Sequence, residues 1–100
     1  MSLFSDLPKE EQFLLGSCAD DYEPYEIVEG MYESEFGEFS KEVLQGHLIS
    51  LLSKGLLDYW HADEQNHLSK IPPERVEFRH WVDLFYVSDK GMSAVTEGYK

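Results

Sequence analysis

The stretch from Ser40 to Trp60, SKEVLQGHLISLLSKGLLDYW, constrains the fold more than any other part of the chain. Ser40 is a good helix N-cap, and Val43/Leu44, His47/Leu48 and Leu51/Leu52 follow as pairs on one side. Their four-residue repeat is the stripe of a helix laid on a core and does not match the two-residue alternation of a strand. Lys54-Gly55 stops the helix, because glycine accepts the left-handed backbone that follows a last turn. Leu56 to Trp60 is too short and too aromatic for a second helix and reads as a strand. The spacing predicts a helix over Lys41 to Lys54, about 21 Å long at the usual rise, running directly into a sheet.

Upstream, Ser5 or Asp6 can cap a first helix with Pro8 in its first turn and Glu10 and Glu11 at the positive end of its dipole. Phe13, Leu14 and Ser17/Cys18 form the expected inner stripe. Asp20 to Glu23 break the pattern and Pro24 restarts it. In the second helix Ile27, Val28, Met31 and Tyr32 share one face, while Glu26, Glu29 and Glu33 lie on another. Gly30 weakens that helix by roughly 1 kcal/mol relative to alanine. Glu35 to Phe39 is a turn whose Phe36 and Phe39 are expected to plug the core.

Downstream, Ala62 to Lys70 is polar and loop-like. Residues 72–81 fit either a short helix, with Val76, His80 and Trp81 in line, or a strand, with Val76, Phe78 and His80 alternating. The helix is the preferred reading. Leu84 to Val87 reads as a second strand, and Ser88 caps a last helix with Met92 and Val95 facing inward. There is no internal repeat and no low-complexity tract, so residues 1–100 read as one domain.

This order of three helices, strand, long turn, strand and closing helix resembles the winged helix-turn-helix superfamily. Two stretches carry the likeness. LISLLSKGLLDYW resembles a third helix that ends at Lys-Gly and runs into the first wing strand. LFYVSDKGMSAV is similar to the second wing strand of many winged-helix regulators, aromatic-x-Leu-Thr-x-x-Gly followed by a small helix. Here it reads Tyr86-Val87-Ser88-Asp89-Lys90-Gly91, with Val for Leu and Ser for Thr. The likeness spans roughly residues 25–97. It implies an α+β, winged-helix-like fold of three helices, a two-stranded β wing and a short C-terminal helix. It also implies DNA binding through the third helix. The outward face of that helix, Lys41, Glu42, Gln45, Gly46, Ile49, Ser50 and Ser53, departs from this use by lacking arginine, the commonest reader of guanine. Lys70, Arg75 and Arg79 form the basic cluster, with Glu74 and Glu77 among them. DNA binding therefore does not follow from the fold.

Charge points elsewhere. The chain carries 20 acids and 8 bases, a formal net charge of -12. Residues 1–40 hold 11 of the acids against Lys9, giving -10, and residues 41–100 the remaining 9 against 7 bases, giving -2. Such a surface repels phosphates and anionic lipid heads and favours basic partners. The candidate contact set is Asp20, Asp21, Tyr22, Glu23, Tyr25, Glu26, Glu29 and Glu33, with carboxylates steering encounter and tyrosines as desolvated anchors. The bland alternative for the same residues is a solvated helix face that keeps the chain soluble.

No catalytic, cofactor or metal signature emerges. Cys18 is alone, excluding an intrachain disulfide and pointing to a buried inert thiol. His61-Ala-Asp63-Glu64-Gln-Asn-His67 invites a metal reading, and Asp63 to His67 resembles HExxH with Asp for the first His. It lacks helical periodicity and reads as an exposed polar turn. His47, on the apolar stripe, reads as a hydrogen-bonded core histidine. The absence of a phosphate loop, nucleophile elbow or Cys-His pairing argues against an enzyme. With no signal peptide and no membrane span, the expected location is cytoplasmic. The expected function is non-enzymatic protein–protein interaction: an acidic immunity or inhibitor protein that neutralises a basic toxin or nucleic-acid-binding partner. The alternative is a winged-helix DNA-binding transcriptional regulator acting as a homodimer, with Lys70, Arg75 and Arg79 on phosphates.

Overall fold

The turn after the third helix is where the architecture is decided. In the computed structural model, which describes residues 4–98, that helix is α3 (Lys41–Ser53), with Lys54 as C-cap and Gly55 at φ 74°. The Gly55 N–H donates to Leu52 O and the Leu56 N–H to Leu51 O, both at 3.0 Å. That pair of bonds is a Schellman motif, and it settles carbonyls that the helix end would otherwise leave open. Leu51 and Leu56 are both fully buried, so the motif carries its usual apolar contact.

The chain runs α1 (Lys9–Ser17), β1 (Glu23–Pro24), α2 (Tyr25–Phe36), α3, β2 (Leu57–Ala62), β3 (Leu68–Ile71), a 3-10 turn (Pro73–Arg75), β4 (Asp83–Val87) and α4 (Asp89–Gly98). The strands form one antiparallel sheet in the order β1-β4-β2-β3. The mixed α+β class is as expected, and so is the adjacency of the two strands read from sequence, β2 and β4. The sheet has four strands where two were expected. β1 is two residues long and ends in a proline, and β3 is almost wholly exposed, so neither carries the alternation that marks a strand.

Residues 72–81 are neither helix nor strand beyond the 3-10 turn. Phe78 sits at φ 56°, a left-handed backbone that breaks both periodicities. It is held there by its ring, 5.2 Å from Tyr25 and stacked 6.0 Å from Phe85. α1 begins later than expected, with extended Pro8 as N-cap, because residues 4–7 close a turn of their own through Leu7 N–H to Phe4 O.

The core lies between the helices and the sheet face formed by Leu57, Tyr59, Phe85 and Val87. Helices α2 and α3 bury a narrower stripe than the sequence suggests. In α3 it is Leu44, Leu48, Leu51 and Leu52, leaving Val43 52% exposed. In α2 it is Tyr25, Val28 and Tyr32, with Ile27 exposed; of the expected plug, Phe39 packs on the core and the more exposed Phe36 lies over its edge, with its ring 4.9 Å from Tyr32. In α4 it is Gly91, Ala94 and Val95, with Met92 outside. Val43, Ile27 and Met92 each sit one position off the seam, about 100° around a helix. In α1, Leu15 is buried with Leu14, and Phe13 only partly.

α4 is clamped to the end of α3. Ser88 caps α4, its Oγ accepting from Gly91 N–H at 3.0 Å. The same hydroxyl donates to Gly55 O at 2.5 Å, Ser88 N–H to Leu56 O at 3.0 Å, and Lys90 Nζ to Lys54 O at 3.0 Å. A Cβ on Gly91 would lie 2.0 Å from Leu56 O, so the helix can approach this closely only with glycine there. Among the described residues no helix is long and apolar enough to cross a membrane.

Candidate interaction surface

The segment between α1 and α2 is tied to the sheet at both ends. Val87 N–H donates to Cys18 O at 3.1 Å, and Glu23 and Pro24 pair with Phe85 and Leu84. Asp20 and Asp21 bulge outward between these ties, and the Asp21 carboxylate accepts from Tyr22 N–H at 2.7 Å. Tyr22 is thereby laid on the sheet face opposite the core. Its ring stacks on Tyr86 at 4.6 Å and 27°, and meets Trp60 edge-on at 5.4 Å. The three rings are half-buried and border an open depression of about 420 Å³ that also takes in Asp58 and Lys70, themselves paired at 3.4 Å.

The acids of this surface are unpaired and close together. Among the described residues Asp20, Asp21 and Glu23 have no cation within ion-pair distance. Partial burial raises the Glu23 carboxyl above its ordinary pKa, and the charges of Asp21 and then Asp20 add to the rise. Asp20, Asp21 and Glu23 thus hold negative charge that no described residue pairs with, while in the depression beside them Lys70 and Lys90 stand with Asp58 and Asp89.

The eight residues expected to act together separate into three environments. Asp20, Asp21, Tyr22 and Glu23 stay beside the aromatic trio. Tyr25 is 1% exposed and packs under Phe78 and Phe85, so it is a core residue, with its hydroxyl pushed up to about 12 by burial. Glu26 and Glu29 turn to His80, whose Nε2 lies 3.6 and 3.0 Å from them. Glu33 is exposed further along α2. The periodicity places Glu26, Glu29 and Glu33 on one helix face without showing that His80 comes to meet the first two. Trp60 and Tyr86 reach Tyr22 only through strand register, which no spacing within one segment shows. The alternation of β2 and β4 was the signal that could have found them.

Other buried polar groups hold the scaffold together. Glu11, 4% exposed, links α1 to α3 through His47 Nδ1 at 2.9 Å, Lys54 Nζ at 3.0 Å and Ser50 Oγ at 3.2 Å. Burial alone would raise its carboxyl, but these partners outweigh it and hold the pKa below the usual range. His47 is half-exposed and clamps Glu11 from the edge of the core. Asp83 is fully buried: Oδ2 accepts from Arg79 N–H at 2.8 Å and Oδ1 lies 3.2 Å from His61 Nδ1. Its pKa is also lowered, since the Arg79 N–H leads a set of partners that outweighs desolvation. The buried Tyr59 hydroxyl lies beside Asp83 and Arg79 without meeting either at full hydrogen-bond geometry.

Asp63 to His67 is the turn of the β2–β3 hairpin. The Asp63 carboxylate accepts from Gln65 and His67 N–H, and Asn66 supplies the left-handed residue. Of the basic cluster, Lys70 pairs with Asp58, and Arg79 with Asp83 and Glu77. Cys18 is fully buried, and desolvation pushes its thiol so far up that it stays protonated. Among the described residues Glu26, Glu29 and His80 form the one group of three metal-ligating side chains whose donor atoms converge within 4.8 Å. No protein-family model, curated protein or solved structure matches this chain.

Proposed function

We propose that the chain is a non-enzymatic interaction module that binds a basic protein through Asp20, Asp21, Glu23 and the Tyr22–Trp60–Tyr86 trio, in the manner of an immunity or inhibitor protein. The observation that carries this reading is the juxtaposition at Glu23: carboxylates that crowd one another, without a cation of their own, on the rim of half-buried aromatic rings. A centre of aromatic anchors inside a charged rim is the anatomy of an interface hot spot, and the sign of the rim selects a cationic partner. The scaffold is read as winged-helix-like. What supports that is the order of α1, α2, α3, β2, β4 and α4, with β2 and β4 as antiparallel neighbours. The DNA-binding alternative loses support from Lys70 and Arg79, both paired with acids, and from the exposed Val43 and Ile49 on α3.

The test is affinity capture from the source cells with partner identification, run beside a duplex-DNA shift assay. A captured protein of high pI should release with rising salt. The double variant Asp20→Lys/Asp21→Lys should weaken it, and Tyr22→Ala should cost roughly 2 kcal/mol of affinity. Capture unchanged in all variants, or a salt-dependent shift of random duplex by the wild type, would overturn the reading.

A further inference from the structure

We propose that Glu26, Glu29 and His80 form a divalent transition-metal site, suited to Zn²⁺, at the start of α2. Two donors each at a usual zinc bond length and a tetrahedral angle lie ~3.4 Å apart. His80 Nε2 is 3.0 Å from Glu29 Oε1 and 3.6 Å from Glu26 Oε2, so both edges through the imidazole already have coordination spacing. Closing the site asks only that the two carboxylates approach each other. The Glu26 side chain, 43% exposed, has room to make that move.

The arrangement is held from behind. Glu26 and Glu29 stand three residues apart on one face of α2. His80 comes from the irregular segment before β4 and is fixed there by two contacts. Its carbonyl accepts from Glu26 N–H at 2.8 Å, and its ring lies against Tyr25 with centroids 5.3 Å apart. Tyr25 is itself positioned by Gln45, whose Nε2 donates to the phenol oxygen at 3.1 Å.

A second observation concerns the Glu29 carboxylate. Glu29 Oε2 is buried and meets no donor at full hydrogen-bond geometry, although the Tyr25 hydroxyl lies beside the carboxylate and its other oxygen meets His80. A buried carboxylate oxygen without a donor is costly, and a metal ion satisfies it directly. Two carboxylates around one imidazole leave net negative charge whether or not the ring is protonated, which favours a dication. The nitrogen donor selects zinc over calcium or magnesium, which prefer all-oxygen shells. His80 is 42% exposed, so the metal has an entry path and a fourth position open to water or to a donor from another molecule. This site does not depend on the Tyr22 contact surface, and failure of either leaves the other standing.

The experiment is calorimetric titration of tag-free protein with zinc chloride at neutral pH, paired with thermal melts and a calcium control. The expected result is one Zn²⁺ per chain, a raised Tm and no heat with calcium. Glu29→Gln and His80→Gln should each weaken binding roughly 10-fold or more. Glu26→Gln, a change at an exposed side chain, should weaken it while leaving the metal-free melt intact. His67→Ala, in the hairpin turn, should change nothing. No heat and no Tm shift at millimolar zinc would overturn the proposal. So would zinc binding that survives Glu26→Gln and Glu29→Gln but is lost in His67→Ala.

Discussion

At Gly91 a single methyl group decides whether α4 can meet the end of α3. An alanine Cβ would sit 2.0 Å from Leu56 O, a backbone atom fixed by the Schellman turn and by Ser88 N–H. Gly91→Ala should therefore destabilise the fold by roughly 3 kcal/mol, in the range of severe overpacking. Gly30, with open space where its Cβ would be, should behave oppositely: Gly30→Ala should gain roughly 0.5–1 kcal/mol as a helix-interior replacement. Urea melts of the two variants check both signs. Two acids make a second contrast at this scale. Glu11, lowered below the usual range by its partners, contributes stability that is present above the ordinary carboxylate pKa and lost as pH falls through its depressed value. Glu23, raised by burial and by Asp21 and Asp20, works the other way, its protonation favouring the folded state. Glu11→Gln should cost roughly 1–3 kcal/mol at neutral pH. Glu23→Gln should be neutral or slightly stabilising there and should lose that advantage in acid, as pH-dependent melts would register.

Among the elements, the segment before β4 is shaped by the buried Asp83 together with the packing of Phe78. Asp83 holds Arg79 N–H and lies against His61, fixing an irregular stretch in which Phe78 takes a left-handed backbone. Asp83→Asn should cost roughly 2–3 kcal/mol, the range for hydrogen bonds to a charged group. It should speed amide exchange at Arg79 ahead of the central strand pair β2–β4. Unchanged exchange there would mean that packing of Phe78 on Phe85 and Tyr25 fixes the segment by itself. This region also marks where elements stopped being legible in the sequence. Helix α3 and its stop were readable because Leu44, Leu48, Leu51, Leu52 and Gly55 are local signals with a fixed period. Residues 72–81 fitted two periods at once, since their conformation is set by Asp83, Phe85 and Tyr25 from other elements. The strand partners of β2 and β4 were hidden for a similar reason. β1 is a pairing made by Glu23 and Pro24 with no pattern of its own.

For the whole molecule the governing quantity is the imbalance of 20 acids to 8 bases. Much of it is unrelieved around residues 20–38, where, among the described residues, the His80 imidazole meets Glu26 and Glu29. Self-repulsion of that kind is screened by salt, with a Debye length falling from about 30 Å at 0.01 M to about 3 Å at 1 M. The melting temperature should therefore rise with sodium chloride, and Asp20→Asn/Asp21→Asn should reproduce part of the rise at low salt. A melting temperature independent of salt would show that the acids are already balanced within the fold. The same screening should weaken capture of a basic partner, so stability and binding should move in opposite directions along one salt series.

The sequence by itself determined the α+β class, the long helix α3 and its glycine stop, the central strands, and the net negative charge. These follow from local periodicity, backbone preference and summed charge, each fixed by residues close together in the chain. The tertiary structure decided which acids act together. Tyr25 went to the core, Glu26 and Glu29 to His80, and Tyr22 to Trp60 and Tyr86. Each of those meetings joins segments tens of residues apart through strand register and a backbone bond such as Glu26 N–H to His80 O. No spacing within a single segment encodes them.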